Sequence, residues 1–236
     1  MKPESGNHAL VWAVVNPISR VVQHPLTLTR AEGNPFIILR GPNGAGKSTV
    51  FKALIGLDGS RGSRLISHEE EVVVADDRSL IRYMPQDPDD ALFGKLSVAD
   101  NVRLLSWMFS IAGDFADKSD CTRFDPGLPS HQLSLGEKKL LLLEAILASL
   151  PPPRNKPYVF VLLDEPLAGL DFERRKSMCD RLNSKATEYR DSANVTFVII
   201  DHDDILPAAG ARESSVEVRT GVSFHLTSTA QLLLRV

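Results

Sequence analysis

The chain has 236 residues, 43% hydrophobic and 24% charged, which is ordinary for a soluble globular protein and excludes a disordered one. A formal net charge of −3 argues against a protein that works by broad neutralisation of nucleic-acid phosphates. Two cysteines, Cys121 and Cys179, match neither a disulfide framework nor a CxxC metal site, and read as buried or incidental thiols in a reducing cytosol.

No apolar run approaches the roughly 20 residues needed to span a bilayer. The segment Met1 to His8 is polar and lacks the layout of a signal peptide. Any action at a membrane would therefore need another component to hold the chain there.

In chain order, Ala9–Val15 and Phe36–Leu39 read as strands, separated by a break at Gly33-Asn34-Pro35. A glycine-rich stretch, Gly41 to Gly46, leads into a helix expected over Lys47–Leu57. Glu71–Ala75 and Ile81–Met84 are short strand candidates, and from about Asp87 to Ser130 the sequence turns mixed and partly helical. Leu135–Leu150 predicts an apolar helix closed by Pro151-Pro152-Pro153, which cannot continue it. Tyr158–Leu163 predicts a central strand covered on both faces, Glu173–Arg190 a charged helix, and Val195–Ile200 another buried strand. Val216–Val218 and Val222–Leu226, split by Thr220-Gly221, predict a closing hairpin. Strands alternating with helices mark an α/β fold.

Gly41-Pro42-Asn43-Gly44-Ala45-Gly46-Lys47-Ser48-Thr49 satisfies GxxxxGK[ST] between a predicted strand and a predicted helix, the setting that pattern requires. The glycines let the backbone curl so that successive N–H groups point at phosphate oxygens, and the helix adds its positive dipole end. Lys47 would reach the β- and γ-phosphates and the Ser48 hydroxyl would ligate Mg²⁺. The plainer alternative is a glycine turn that caps a helix.

The buried strand ending at Leu163 delivers Asp164 and Glu165 at its carboxyl end, where ligands of parallel sheets bind. Asp164 fits an acid associated with Mg²⁺, and Glu165 a general base for an attacking water. Ser134 and Glu137 form an S-x-x-E capping box, so the segment opens a helix whose free N–H groups can face an anion.

Together these elements resemble, in order, the nucleotide-binding subunits of ABC transporters. Leu133-Ser134-Leu135-Gly136-Glu137 is similar to the signature motif, Gln86 stands at the Q-loop, Ala168-Gly169-Leu170-Asp171 at the D-loop, and His202 at the switch-histidine place. The resemblance covers nearly the whole chain. It implies a P-loop NTPase of the ABC ATPase type: a RecA-like core sheet and an antiparallel β part over residues 1–86 and 151–236, with a helical subdomain inserted over about 87–150. It further implies that ATP and Mg²⁺ are bound, with Gln86, Asp164 and Ser48 near the metal. Glu165, His202 and Gln86 would align the water, and each ATP would lie between one subunit's phosphate loop and the other's Ser134, Leu135, Gly136 and Glu137. Asp171 would shape that dimer contact, while Trp12 would either stack on adenine or sit in the core or at a sheet edge. Two departures stand out: Leu135 occupies the signature's first glycine, and Leu140 the place where an arginine usually follows.

The stretch from Tyr83 to Phe93, followed by Leu96 to Val102, resembles the Q-loop region of ATPases driving energy-coupling-factor and cobalt or nickel importers. That implies a second ABC ATPase subunit, alike or different, a transmembrane permease, and a separate membrane component that binds a vitamin or metal ion. The chain would then sit in the cytoplasm on the inner face of the membrane, with no nucleic-acid partner. The alternatives are a soluble ABC ATPase of an assembly or nucleic-acid machine, a regulatory subunit that binds ATP without turnover, and a metabolite kinase.

Overall fold

The computed structural model describes residues 9–13, 26–29, 35–40, 47–55, 64–67, 71–72, 81–111, 124–153, 159–190, 195–201, 215–217, 224–227 and 231–234. Its centre is a sheet of seven strands. β3 (Phe36–Arg40), β6 (Ile81–Met84), β7 (Val159–Asp164), β8 (Val195–Ile200), β9 (Ser215–Glu217), β10 (Phe224–Thr227) and β11 (Gln231–Leu234) run in the order β10-β11-β9-β3-β8-β7-β6. All pairings are parallel except β10 with β11. Every residue of β7 and β8 is buried, as their unbroken apolar sequences predict for strands covered on both faces.

A second sheet is antiparallel, with β1 (Ala9–Ala13), β2 (Leu26–Thr29), β4 (Arg64–Ser67) and β5 (Glu71–Val72) in the order β2-β1-β4-β5. The predicted strand over Ala9–Val15 thus ends at Ala13, and Val14 and Val15 lie outside the described residues.

The closing hairpin is corrected. β9 does not pair with β10, because both its edges are occupied: Leu39 of β3 faces Val216 on one side and Leu232 of β11 on the other. The hairpin forms one strand later, with Phe224 opposite Leu234 and Thr227 opposite Gln231. A local turn signal at Thr220-Gly221 gives way to parallel pairing with a strand roughly 175 residues earlier, a non-local partner that turn chemistry does not report.

Four α-helices are described: α1 (Lys47–Leu54), α2 (Val98–Met108), α3 (Leu135–Ala148) and α4 (Phe172–Glu188). Side-chain oxygens of Ser97, Ser134 and Asp171 cap α2, α3 and α4, each accepting from the N–H three residues on. α4 buries Met178, Cys179, Leu182 and Ala186 on one face, and its charged residues take the other.

Among the described residues, two apolar clusters share α3. Leu143, Ile146 and Leu147 join Val161 and Leu163 of β7, Phe197 and Ile199 of β8, and Met178 and Leu182 of α4. Leu141, Leu142 and Ala145 join Val98, Val102 and Leu105 of α2 together with Leu92 and Leu133. Cys179 is a free, buried thiol, and Cys121 lies outside the described residues.

Candidate functional site

The parallel sheet sets its chain ends side by side. Leu39 lies opposite Ile200, Asp164 opposite Ile200 on the other side, and Met84 opposite Leu163. What leaves β6 and β7 therefore converges on the start of α1.

Lys47 is the first residue of α1 and only 6% exposed. Burial pulls its ammonium below the ordinary lysine pKa, and the Glu165 and Asp164 carboxylates partly offset this. Ser48 Oγ donates to Asp164 Oδ1 at 3.2 Å. Asp164, 2% exposed at the end of β7, has its pKa raised by burial. The Ser48 bond and the Lys52 and Lys47 charges oppose that rise, while neighbouring Glu165 adds to it.

Glu165 adopts a left-handed backbone with φ of 47°, unusual for a residue with a side chain. Its N–H donates to the Ile200 carbonyl at 3.0 Å, and its Oε2 accepts from Gln86 Nε2 at 2.8 Å. The glutamine expected to help align the water and the expected general base therefore touch, although 79 residues separate them.

At the start of α3, the capping box is formed in full. Ser134 Oγ accepts from the Glu137 N–H at 3.3 Å, and the Ser134 N–H donates to Glu137 Oε2 at 2.8 Å. The Ser134 hydroxyl, donating to the same carboxylate oxygen at 2.6 Å, holds Glu137 below the usual carboxylate pKa; burial opposes this, and the Ser134 N–H and Arg174 assist.

Asp171 caps α4 and accepts from the Arg174 N–H at 2.9 Å and from its guanidinium at 2.6 Å. These two bonds lower its pKa, the backbone one most. Arg174 also reaches Glu137 at 3.6 Å, which ties the two predicted interface segments together within one chain. Gly136 leaves room for this arginine: a Cβ there would meet Arg174 Cδ and force the side chain to shift. Leu135, 43% exposed, leans onto Gly169, whose φ of 73° suits glycine and where a Cβ would stand 2.8 Å from Leu135 Cδ2.

Gly41, Pro42, Asn43, Gly44, Ala45, Gly46 and His202 lie outside the described residues, as does the side chain of Thr49. Trp12 sits on β1 opposite Leu26 and Leu65 in the antiparallel sheet, and its side chain lies outside the description.

Sequence reasoning missed Lys138 and Lys139. Lys138 Nζ binds the Asp89 carboxylate at 2.7 Å, three residues beyond Gln86. Lys139 Nζ donates to the carbonyls of Glu165 and Ala168, both at 2.8 Å. The available signal was a pair of lysines inside a helix otherwise dominated by leucine.

Ser48 and Asp164 bring together a hydroxyl and a carboxylate, hard oxygen donors that suit Mg²⁺. Among the described residues no group of three or more His, Cys, Asp and Glu gathers to hold a metal. A cation here would complete its shell with oxygens from a bound phosphate and water, as Mg²⁺ commonly does.

The sequence model of the ABC transporter family matches residues 24–168. The chain belongs to the ABC transporter family. It is 33% identical over 192 residues to an ABC transporter ATP-binding protein of Pyrococcus furiosus, covering 75% of this chain and 64% of that protein. It is 28% identical over 219 residues to the spermidine/putrescine import ATP-binding protein PotA of Ruegeria pomeroyi, covering 86% of this chain and 56% of that protein. The chain thus spans somewhat less than two thirds of the length of these relatives. In fold it is similar to cbiO1 of Clostridium perfringens, part of the ABC transporter complex cbiONQ, with a TM-score of 0.64 at 21% identity over 97% of this chain and 88% of that one. The α/β, P-loop NTPase architecture of ABC ATPases is thereby established for this chain.

Proposed function

We propose that the chain binds ATP and hydrolyses it as the motor subunit of a membrane transporter. The carrying observation is the constellation at the sheet's carboxyl edge: Lys47 at a helix start, Ser48 on Asp164, and Gln86 on Glu165. Lys47 would pair with the β- and γ-phosphates. Ser48 and Asp164 would hold Mg²⁺, which when bound neutralises charge on the phosphate oxygens. Glu165 would orient and deprotonate the attacking water, with Gln86 and His202 keeping it aligned. Little covalent chemistry falls to the protein, so positioning and electrostatics supply most of the acceleration.

In this reading two ATPase subunits close around ATP, with Ser134 to Glu137 of one facing the nucleotide of the other and Asp171 shaping the contact. The segment over about 87–150 acts as the helical lobe that passes closure to a transmembrane permease. Among the described residues no helix is long and apolar enough to cross a membrane, so the permease would hold the chain at the inner face. An importer of the energy-coupling-factor kind, with its own vitamin- or metal-binding membrane component, is supported by the Tyr83 to Val102 stretch and by likeness to a cbiONQ subunit.

The test combines two measurements. Wild type should turn over Mg-ATP, and Glu165→Gln should lose about 100-fold or more in kcat while retaining nucleotide affinity. Purification from detergent-solubilised native membranes should recover a polytopic protein with the chain. Active ATPase accompanied by soluble partners only would sink the transporter reading in favour of an assembly or nucleic-acid machine.

A further inference from the structure

Lys139 is 1% exposed and is among the largest fully buried side chains described. Burial drives its pKa down, and the carboxylates of Glu165, Asp164 and Asp87 push the other way. Simple packing at this position would be served by leucine, as at Leu141 to Leu143, without desolvating a charge. The ammonium is therefore placed for what it holds.

It holds one turn by two carbonyls. Glu165 and Ala168 both accept from Lys139 Nζ, and the Ala168 N–H donates to Glu165 O at 3.2 Å. Glu165 is one of two non-glycine residues with positive φ among those described. Such a backbone persists only where its surroundings over-determine it. Ile200 fixes the peptide before its Cα and Lys139 the peptide after it, so the direction of Cβ, and with it the carboxylate bonded to Gln86, is set. The preceding lysine, Lys138, ties α3 to Asp89 beyond Gln86. Two successive residues of α3 thus anchor both halves of the Gln86–Glu165 pair.

We propose that Lys139 is a positioning residue for Glu165, and that through it a displacement of α3, whose first turn is the Ser134–Glu137 segment, is felt at the general base. The proposal rests on the ATPase reading above. Lys139 lies about 7.5 Å along the helix axis from Ser134, about 1.4 turns. No deformable segment intervenes, so α3 transmits displacement as a rod.

The experiment is Lys139→Met in the full chain, assayed for ATP turnover and by hydrogen exchange. kcat should fall about 10- to 100-fold with KM within threefold of wild type. In a Glu165→Gln background the same change should cost almost nothing more, because Lys139 acts through that side chain. Exchange in the 164–171 peptide should quicken while that in 195–200 does not. An unchanged kcat, a parallel rise in KM, or a full further loss on top of Glu165→Gln would overturn the proposal. Should Lys139→Met fail to fold, Lys139→Gln keeps a donor and should show the same split in weaker form. A wild type that neither binds nor hydrolyses ATP sinks the ATPase reading, and the exchange result then decides by itself whether Lys139 holds the turn.

Discussion

The turn that follows β7 and the start of α3 meet where Leu135 leans on Gly169, yet they are held in opposite ways. The turn is held from afar: Ser48 reaches Asp164 across 116 residues, Gln86 reaches Glu165 across 79, and Lys139 reaches Ala168 across 29. The helix start is closed by bonds between Ser134 and Glu137, three residues apart. A segment closed by its own bonds is preformed, and its outside links, Glu137 to Arg174 and Leu135 onto Gly169, are added to a shape it already has. One held by three other parts of the chain responds when any of them moves, as expected of a site whose geometry changes through a reaction cycle.

Four substitutions sharpen this contrast. The largest effect belongs to the distant-contact turn. Asp164→Asn should lower ATP turnover about 100-fold or more, in line with loss of a charge that the transition state needs. The same change should raise the melting temperature of the nucleotide-free protein at neutral pH. The sign follows from linkage: Asp164 has a folded pKa above the ordinary 3.8, so the native state holds the proton more tightly than the unfolded chain. Stability contributed by this group is lost as pH rises from about that ordinary value through the folded pKa, and Asn removes the loss. Melting curves from pH 4 to 8 should therefore show the gain at neutral pH and its disappearance at the acid end.

Gly169→Ala probes the seam between the two regions. Forcing an L side chain to a φ of 73° costs about 1–2 kcal/mol, and the new methyl meets Leu135 at 2.8 Å. Chemical denaturation should show that loss, and adding Leu135→Ala should recover the steric part but not the backbone part. The smallest effect belongs to the local segment: Ser134→Ala should cost about 1 kcal/mol of unfolding free energy. That cost should add simply to the stability change of Asp164→Asn, whose side chain accepts from Ser48; strong coupling between the two would break the comparison.

The same division explains what the sequence made legible. The Ser134–Glu137 box, the β7 strand ending in Asp164, and the helix over α4 are each written in a window of a few residues. The pairing of Ser48 with Asp164 was readable because both ends carry recognisable patterns. Lys139 was not, since its partners are main-chain carbonyls 26 and 29 residues away and carbonyls carry no sequence identity. Strand β2 had a signal that went unused, the alternation Leu-Thr-Leu-Thr, whereas β11 reads Gln-Leu-Leu-Leu and shows no period of two. The misassigned hairpin belongs with Lys139, because a turn signal cannot say which strand already fills an edge. The phosphate loop and His202 were read from the sequence alone.

α3 buries ten of its fourteen residues, the charged Lys138, Lys139 and Glu144 among them. Its opposite sides are walls of two different apolar clusters. Neither cluster can be excised as a free-standing unit: cutting the chain on either side of α3 would strip one half of a wall and leave a leucine-rich surface on the other. An engineer seeking a minimal nucleotide-binding fragment, or a graft of the helical part onto another scaffold, would have to carry this one helix with both pieces.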